Sequence, residues 1–287
     1  MKKVLFWILA IFITLGASVY QRMTGPTNPK YEVVNIAGEE YKFKLPRSGA
    51  ETDCEVVLNG FGVNNGVDTV RGVEYEATMY WRKYPGGGGE YTAVQMVPRE
   101  KGYTAMLPVQ PAAGKLEYYL ELHTVRRTAD NIVKSKTMVC YNEPLIIRFK
   151  SNVPAWALIP HILCMFISML FGAYALLCAL ANMSQYKKYA LLSLCLLVIG
   201  GFIFGPIVQK FAFDVYWSGF PFGGDLTDNK TLIAGLVLLF AVITRKKEWN
   251  RWAVVIAMLV MFIVFSIPHS MRGSELNHET GKIESGK

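Results

Sequence analysis

Apolar residues in this chain fall into two patterns, long unbroken blocks and short alternations, and the two occupy different stretches. Blocks lie at about 4–20, 155–182, 189–208, 231–244 and 252–267. Blocks of that length predict apolar helices that cross or enter a bilayer. Residues 25–150 behave differently. Val73, Tyr75, Ala77, Met79 and Trp81 alternate with Glu74, Glu76, Thr78, Tyr80 and Arg82. Leu116, Tyr118, Leu120 and Leu122 alternate with Glu117, Tyr119, Glu121 and His123, and Leu145, Ile147 and Phe149 repeat the pattern. A period of two with one wet face predicts antiparallel sheet. Turn residues punctuate it at Asn64-Asn65-Gly66, at Pro85 with Gly86 to Gly89, and at Gln110-Pro111-Ala112-Ala113-Gly114. Seven or eight short strands at such spacing predict a sandwich.

The expected organisation is an N-terminal segment (1–22), a β-sandwich (25–150), a four-helix transmembrane domain (154–269) and a tail (270–287). The fold class is thus a multi-domain membrane protein, all-β sandwich plus α-helical transmembrane bundle. With 52% hydrophobic residues, the chain is too apolar for a soluble protein of 287 residues. The first segment reads as a cleaved signal or a retained anchor. Gly16-Ala17-Ser18 is a poor cleavage site, which favours the anchor.

Charge sets orientation. Lys2 and Lys3, Lys187 and Lys188, and Arg245, Lys246, Lys247 and Arg251 share one side if each block crosses once. The positive-inside rule makes that side cytoplasmic, with the sandwich, the 209–230 loop and the tail outside. The net charge of +8 is then largely topogenic and implies no nucleic acid.

The stretch Met79-Tyr80-Trp81-Arg82, Met96, Tyr103 to Pro108 and Gly114 to Leu120 resembles immunoglobulin- and fibronectin type III-like modules of secreted bacterial proteins, over about 55–150. That resemblance implies a module that binds, spaces or braces, on a bacterial cytoplasmic (inner) membrane protein. Fold analogy is a weak guide to function. Cys54 and Cys140, on an early and a late strand in an oxidising compartment, are a disulfide candidate or two buried thiols. Cys164, Cys178 and Cys195 read as small packing residues.

Within the spans, Ser168 with Gly172, Ala175 with Ala179, and Gly201 with Gly205 fall four apart and predict close helix packing. Between their ends the spans hold essentially no Asp, Glu, Lys or Arg, which argues against a proton-coupled transporter or ion pump. The loop after the third block carries six aromatics between Phe211 and Phe222, an interfacial signature. The next block, 231–244, would span only about 21 Å against a hydrocarbon core of about 30 Å. That shortfall draws Asp228, Lys230 and Asp225 to the boundary, with Asp228 placed to cap the helix. Asp225, Asp228, Lys230 and Glu275 form a candidate polar cluster at the outer mouth.

Two histidines occur in matching contexts, Ile159-Pro160-His161 and Ile267-Pro268-His269, expected at the same face and similar depth. His161 has Met165 one turn on, and imidazole with thioether suits copper or a b-type haem. Alternatively, the histidines hydrogen-bond to Asp225, Asp228 or Glu275 and tie loop and tail to the bundle. Walker A, GxSxG, paired HExxH and CxxC motifs are all missing, and His278-Glu279 lacks a second histidine, so an enzyme of a familiar kind is not indicated. The leading expectation is a non-enzymatic accessory or assembly protein of the cell envelope with a protein partner and the lipid bilayer around it. The alternatives are a redox subunit at His161 and His269, and a lipid or quinone pocket beneath the 209–230 loop.

Overall fold

The computed structural model describes residues 2–60, 67–68, 73–85, 89–127, 132–269, 273–278 and 280–285. The expected turns at Asn64-Asn65-Gly66 and at Gly86 to Gly88 lie outside these residues, as do Ser270 to Arg272 and Glu279. The chain forms two compact units. One is Thr27–Ser151 with Leu276–Lys282, and the other holds the helices.

The β unit contains twelve strands among the described residues, more than the pattern alone predicts. β1 (Lys30–Ile36) and β2 (Glu39–Leu45) form an antiparallel hairpin. β4 (Cys54–Leu58), β9 (Gly102–Leu107) and β8 (Val97–Arg99) form a three-stranded sheet. The larger sheet is built on β10 (Lys115–Arg127). β6 (Val73–Tyr84) lies antiparallel along one edge of it, from Lys115↔Tyr84 to Arg126↔Val73. Its other edge is shared, with β12 (Leu145–Phe149) on the first part and β11 (Ile132–Val139) on the rest. The short strands β3 (Ser48–Gly49), β5 (Val67–Asp68) and β7 (Thr92–Gln95) extend the margins.

The alternation explains this arrangement directly. Val73, Tyr75, Ala77 and Met79 of β6 and Leu116, Tyr118, Leu120 and Leu122 of β10 are all buried. They share one core with Phe43 and Leu45 of β2, Val56 and Leu58 of β4, and Tyr103, Ala105 and Leu107 of β9. The alternate positions carry polar ladders, where Tyr80 stacks on Tyr119 at 4.9 Å and Arg82 lies 4.4 Å over Tyr91. Cys54 and Cys140 both border the core as free thiols. Burial raises the Cys54 thiol above its ordinary range and pushes Cys140 up to about 11, so neither is poised as a thiolate.

The helical unit has α1 (Lys2–Met23), α2 (Ala155–Leu180), α3 (Tyr186–Phe213), α4 (Leu226–Ile243) and α5 (Asn250–Ser266). The first four are long and apolar enough to cross a membrane, and α5 is an apolar helix of 17 residues. α1 belongs to the bundle: Trp7 stacks on Tyr174 of α2 at 4.1 Å and meets Tyr189 of α3 edge-on at 5.5 Å. At its other end, Gln21 Nε2 donates to the Phe265 carbonyl of α5 at 2.8 Å. Asn250 Nδ2 donates to the Ala241 carbonyl at 2.7 Å and closes the α4–α5 turn.

Small residues set the helix contacts as their spacing predicts. Ser168 and Ser193 donate reciprocally to each other's carbonyls, both at 2.8 Å, and pin α2 to α3. A Cβ at Gly172 would stand 2.4 Å from Met261 Cε, and one at Gly201 would stand 2.8 Å from Thr231 Cγ2. α3 departs from α-geometry over Val198–Phe204, a π segment. Pro206 has no N–H for the normal i−4 bond, and Gly200-Gly201 is a weak helical stretch, so the ladder re-registers there.

This packing makes a paired prediction. Gly200→Ala, whose Cβ would stand 2.8 Å from Cys164 Cβ and 3.2 Å from the Met165 backbone nitrogen, should destabilise the detergent-solubilised protein by about 1–3 kcal/mol through overpacking. Gly16→Ala, where a Cβ meets nothing within 4 Å, should leave it unchanged or slightly more stable. Thermal unfolding of the two variants checks the difference in sign.

Candidate functional site

Among the described residues, the buried charged side chains of the helical unit, Asp225, Asp228 and Lys230, lie at the end where α3 finishes and α4 begins. α4 starts at Leu226, five residues earlier than its apolar block, because Thr227, Asp228, Asn229 and Lys230 are each satisfied inside the bundle's end. The N-cap is Asp225 rather than Asp228: its Oδ1 accepts from the Thr227 amide at 2.8 Å. Its Oδ2 accepts from the Ser274 amide at 2.8 Å, from Ser274 Oγ at 3.1 Å and from Ser218 Oγ at 3.2 Å.

Asp228 sits one turn on, 5% exposed. Its Oδ2 accepts from the Ser218 amide at 2.7 Å, the Gly219 amide at 3.1 Å and Gln209 Nε2 at 3.1 Å, with Ser218 Oγ at 3.3 Å. Both carboxylates lie at the positive end of the α4 dipole. Together they gather α3 (through Gln209), the loop (through Ser218 and Gly219) and the tail (through Ser274). A buried carboxylate accepting several amides is a satisfied anion, not an exposed base.

Lys230, 2% exposed, points the other way. Its Nζ donates to the Ile267 carbonyl at 2.6 Å, just past the C-terminus of α5. The cation meets the negative end of the α5 dipole there and completes a cap that Gln21 begins at Phe265. Glu275 lies half-buried beside Ser274 on β13 (Ser274–Leu276). Of the expected outer cluster, Asp225 and Asp228 share one network and Lys230 serves a neighbouring one.

His161 does not turn to the loop carboxylates. Its Nδ1 lies 2.9 Å from the Gly200 carbonyl in the π segment. A carbonyl only accepts, so Nδ1 carries the proton and Nε2 keeps a lone pair. Met165 converges on the same backbone, since a Cβ at Gly200 would meet its Sδ at 3.2 Å. His269 lies within electrostatic reach of His161 and Lys230. Among the described residues, no three His, Cys, Asp or Glu side chains gather as ligands for a metal ion.

Sequence reasoning misses Ser218, Gln209, Ser274 and Asn229 as members of this end. Two carboxylates three apart at a helix start are the only local sign that amides must come to them. Asp228→Ala would leave the Ser218 and Gly219 amides without their acceptor, a loss of about 2–4 kcal/mol. Lys210→Ala, which removes the exposed pair with Asp214 and leaves the left-handed Asp214 backbone in place, should cost under about 1 kcal/mol. Thermal unfolding in detergent, with limited proteolysis across 214–224, measures both.

No protein-family model, curated protein or solved structure matches this chain, so its reading rests on the residues themselves.

Proposed function

We propose that this chain is an integral membrane accessory or assembly protein of a bacterial cell envelope, with an outward immunoglobulin-like binding module on a membrane bundle. The observation that carries this reading is how the polar groups of the bundle are used. Asp225, Asp228 and Lys230 are each taken up by amides, hydroxyls or a carbonyl of the chain itself. Groups so engaged hold a fold together and are not presented to a substrate.

Orientation follows from charge. Lys2, Lys3, Lys187, Lys188, Arg245, Lys246 and Lys247 are exposed at the end of the bundle opposite Asp225, which the positive-inside rule assigns to the cytoplasm. α1 is read as a retained span, since Trp7 and Gln21 tie its two ends to α2, α3 and α5. The immunoglobulin-like reading of the β unit draws support from its pairings. β4 with β9, β6 with β10, and β10 with β12 parallel the B–E, C–F and F–G pairs of such sandwiches.

One observation favours a second reading, a redox subunit with copper or haem. The Nδ1–Gly200 bond holds the His161 ring and leaves Nε2 as donor atom, the arrangement a metal-ligating histidine takes, with Met165 and His269 nearby. Beneath the 209–230 loop, Asp228 is engaged by Ser218 and Gln209, which lends no comparable support to a quinone or lipid pocket.

Two experiments separate these readings. Purification in mild detergent should bring down a stoichiometric protein partner, and an isolated monomer from native membranes contradicts the accessory reading. Metal analysis with oxidised and reduced spectra should give a blank. Near-stoichiometric copper or a Soret band, lost in both His161→Ala and His269→Ala, would establish the redox reading instead.

A further inference from the structure

We infer that the aromatic turn Phe220-Pro221-Phe222 is an interfacial anchor, inserted at the headgroup–hydrocarbon boundary of the outer leaflet; this rests on the membrane reading of the helices.

The depth of the turn follows from the unequal rise of two antiparallel helices. α3 and α4 are level where Gly201 meets Thr231. From there α3 continues to Phe213, about 18 Å further, whereas α4 reaches its first residue, Leu226, in about 8 Å. The connecting loop must therefore descend about 10 Å beside α3 before α4 begins. α4 has 18 residues, about 27 Å, against a hydrocarbon core of about 30 Å, so its first turn lies at the boundary.

The aromatic turn is fixed to that first turn. The Phe220 amide donates to Asn229 Oδ1 at 2.6 Å, and the Gly219 amide donates to Asp228. Trp217 Nε1 donates to the Phe220 carbonyl at 3.1 Å, and the Phe222 amide to the Gly219 carbonyl at 2.9 Å. The backbone bonds are all turned inward. Outward stand Phe220, 68% exposed, and Phe222, 81% exposed. Exposed Tyr216, Phe211 and Trp156 carry the same apolar surface onto the sides of α3 and α2, where Trp156 and Phe211 pack edge-on at 5.8 Å. A rigid turn offering two phenyl rings at this depth, continuous with span surface, matches the lipid interface. Lys210 over the Tyr216 ring adds a cation at headgroup level.

The test is photocrosslinking of the full chain in native membranes. Phe222→p-benzoylphenylalanine is compared with Ile256→p-benzoylphenylalanine, at an exposed site on α5. Both positions point away from the protein, so folding is preserved. Irradiation should add the mass of one phospholipid at both. A lipid adduct at Ile256 with none at Phe222, or a crosslink from Phe222 to protein, overturns the anchor and leaves the membrane reading standing. No lipid adduct at either site overturns both.

Discussion

The end of the helical unit depends on two buried carboxylates. Asp225 and Asp228 stand three residues apart at the start of α4, where free amides and the helix dipole favour negative charge. Between them they accept from two loop amides, the tail amide of Ser274, two serine hydroxyls and Gln209. An irregular loop at the margin of a bilayer needs such partners, because each unpaired amide there costs several kcal/mol on the order of a lost hydrogen bond or more. The two aspartates supply those partners where α3 returns to α4. Lys230 extends the same logic to the neighbouring helix end by capping the Ile267 carbonyl.

Below this end, the bundle is held by close approach rather than charge. Ser168 and Ser193 exchange hydrogen bonds between helices, and glycines at 172, 201 and 235 admit Met261, Thr231 and Phe202 against the backbone. The π segment of α3 places the Gly200 carbonyl where His161 reaches it. One histidine thereby holds the break in the ladder, and the same contact fixes its tautomer.

Much of the β unit is legible in the alternation: Val73, Tyr75, Ala77 and Met79, and Leu116, Tyr118, Leu120 and Leu122, all fall inward, although Glu117 and Glu121 between them are buried too by their pairing with Arg82 and Lys136. Helix existence is equally plain. The start of α4 is not, since Thr227 to Lys230 are polar and only tertiary partners let Asp228 and Lys230 be buried there. The role of Asp228 was misjudged for the same reason: its acceptor function depends on Ser218 and Gly219, residues with no periodic signal. His161 stands out in the sequence, yet its partner is the Gly200 carbonyl of a π turn, which also accepts from the Gly205 amide and which composition does not announce. Asp225, Asp228 and Lys230 hold separate segments, the loop, the tail and the end of α5, and the spacing of the three residues does not name those partners.

The central claim is that this end is a closed structural clamp. Hydrogen–deuterium exchange of the full chain in lipid nanodiscs tests it most directly, through the amides of Ser218, Gly219 and Ser274. The account predicts protection of these three approaching that of the α4 interior, although all three lie outside the helices. Exchange at the rate of an open loop would contradict it, and would return Asp225 and Asp228 to the status of available, ligand-facing groups.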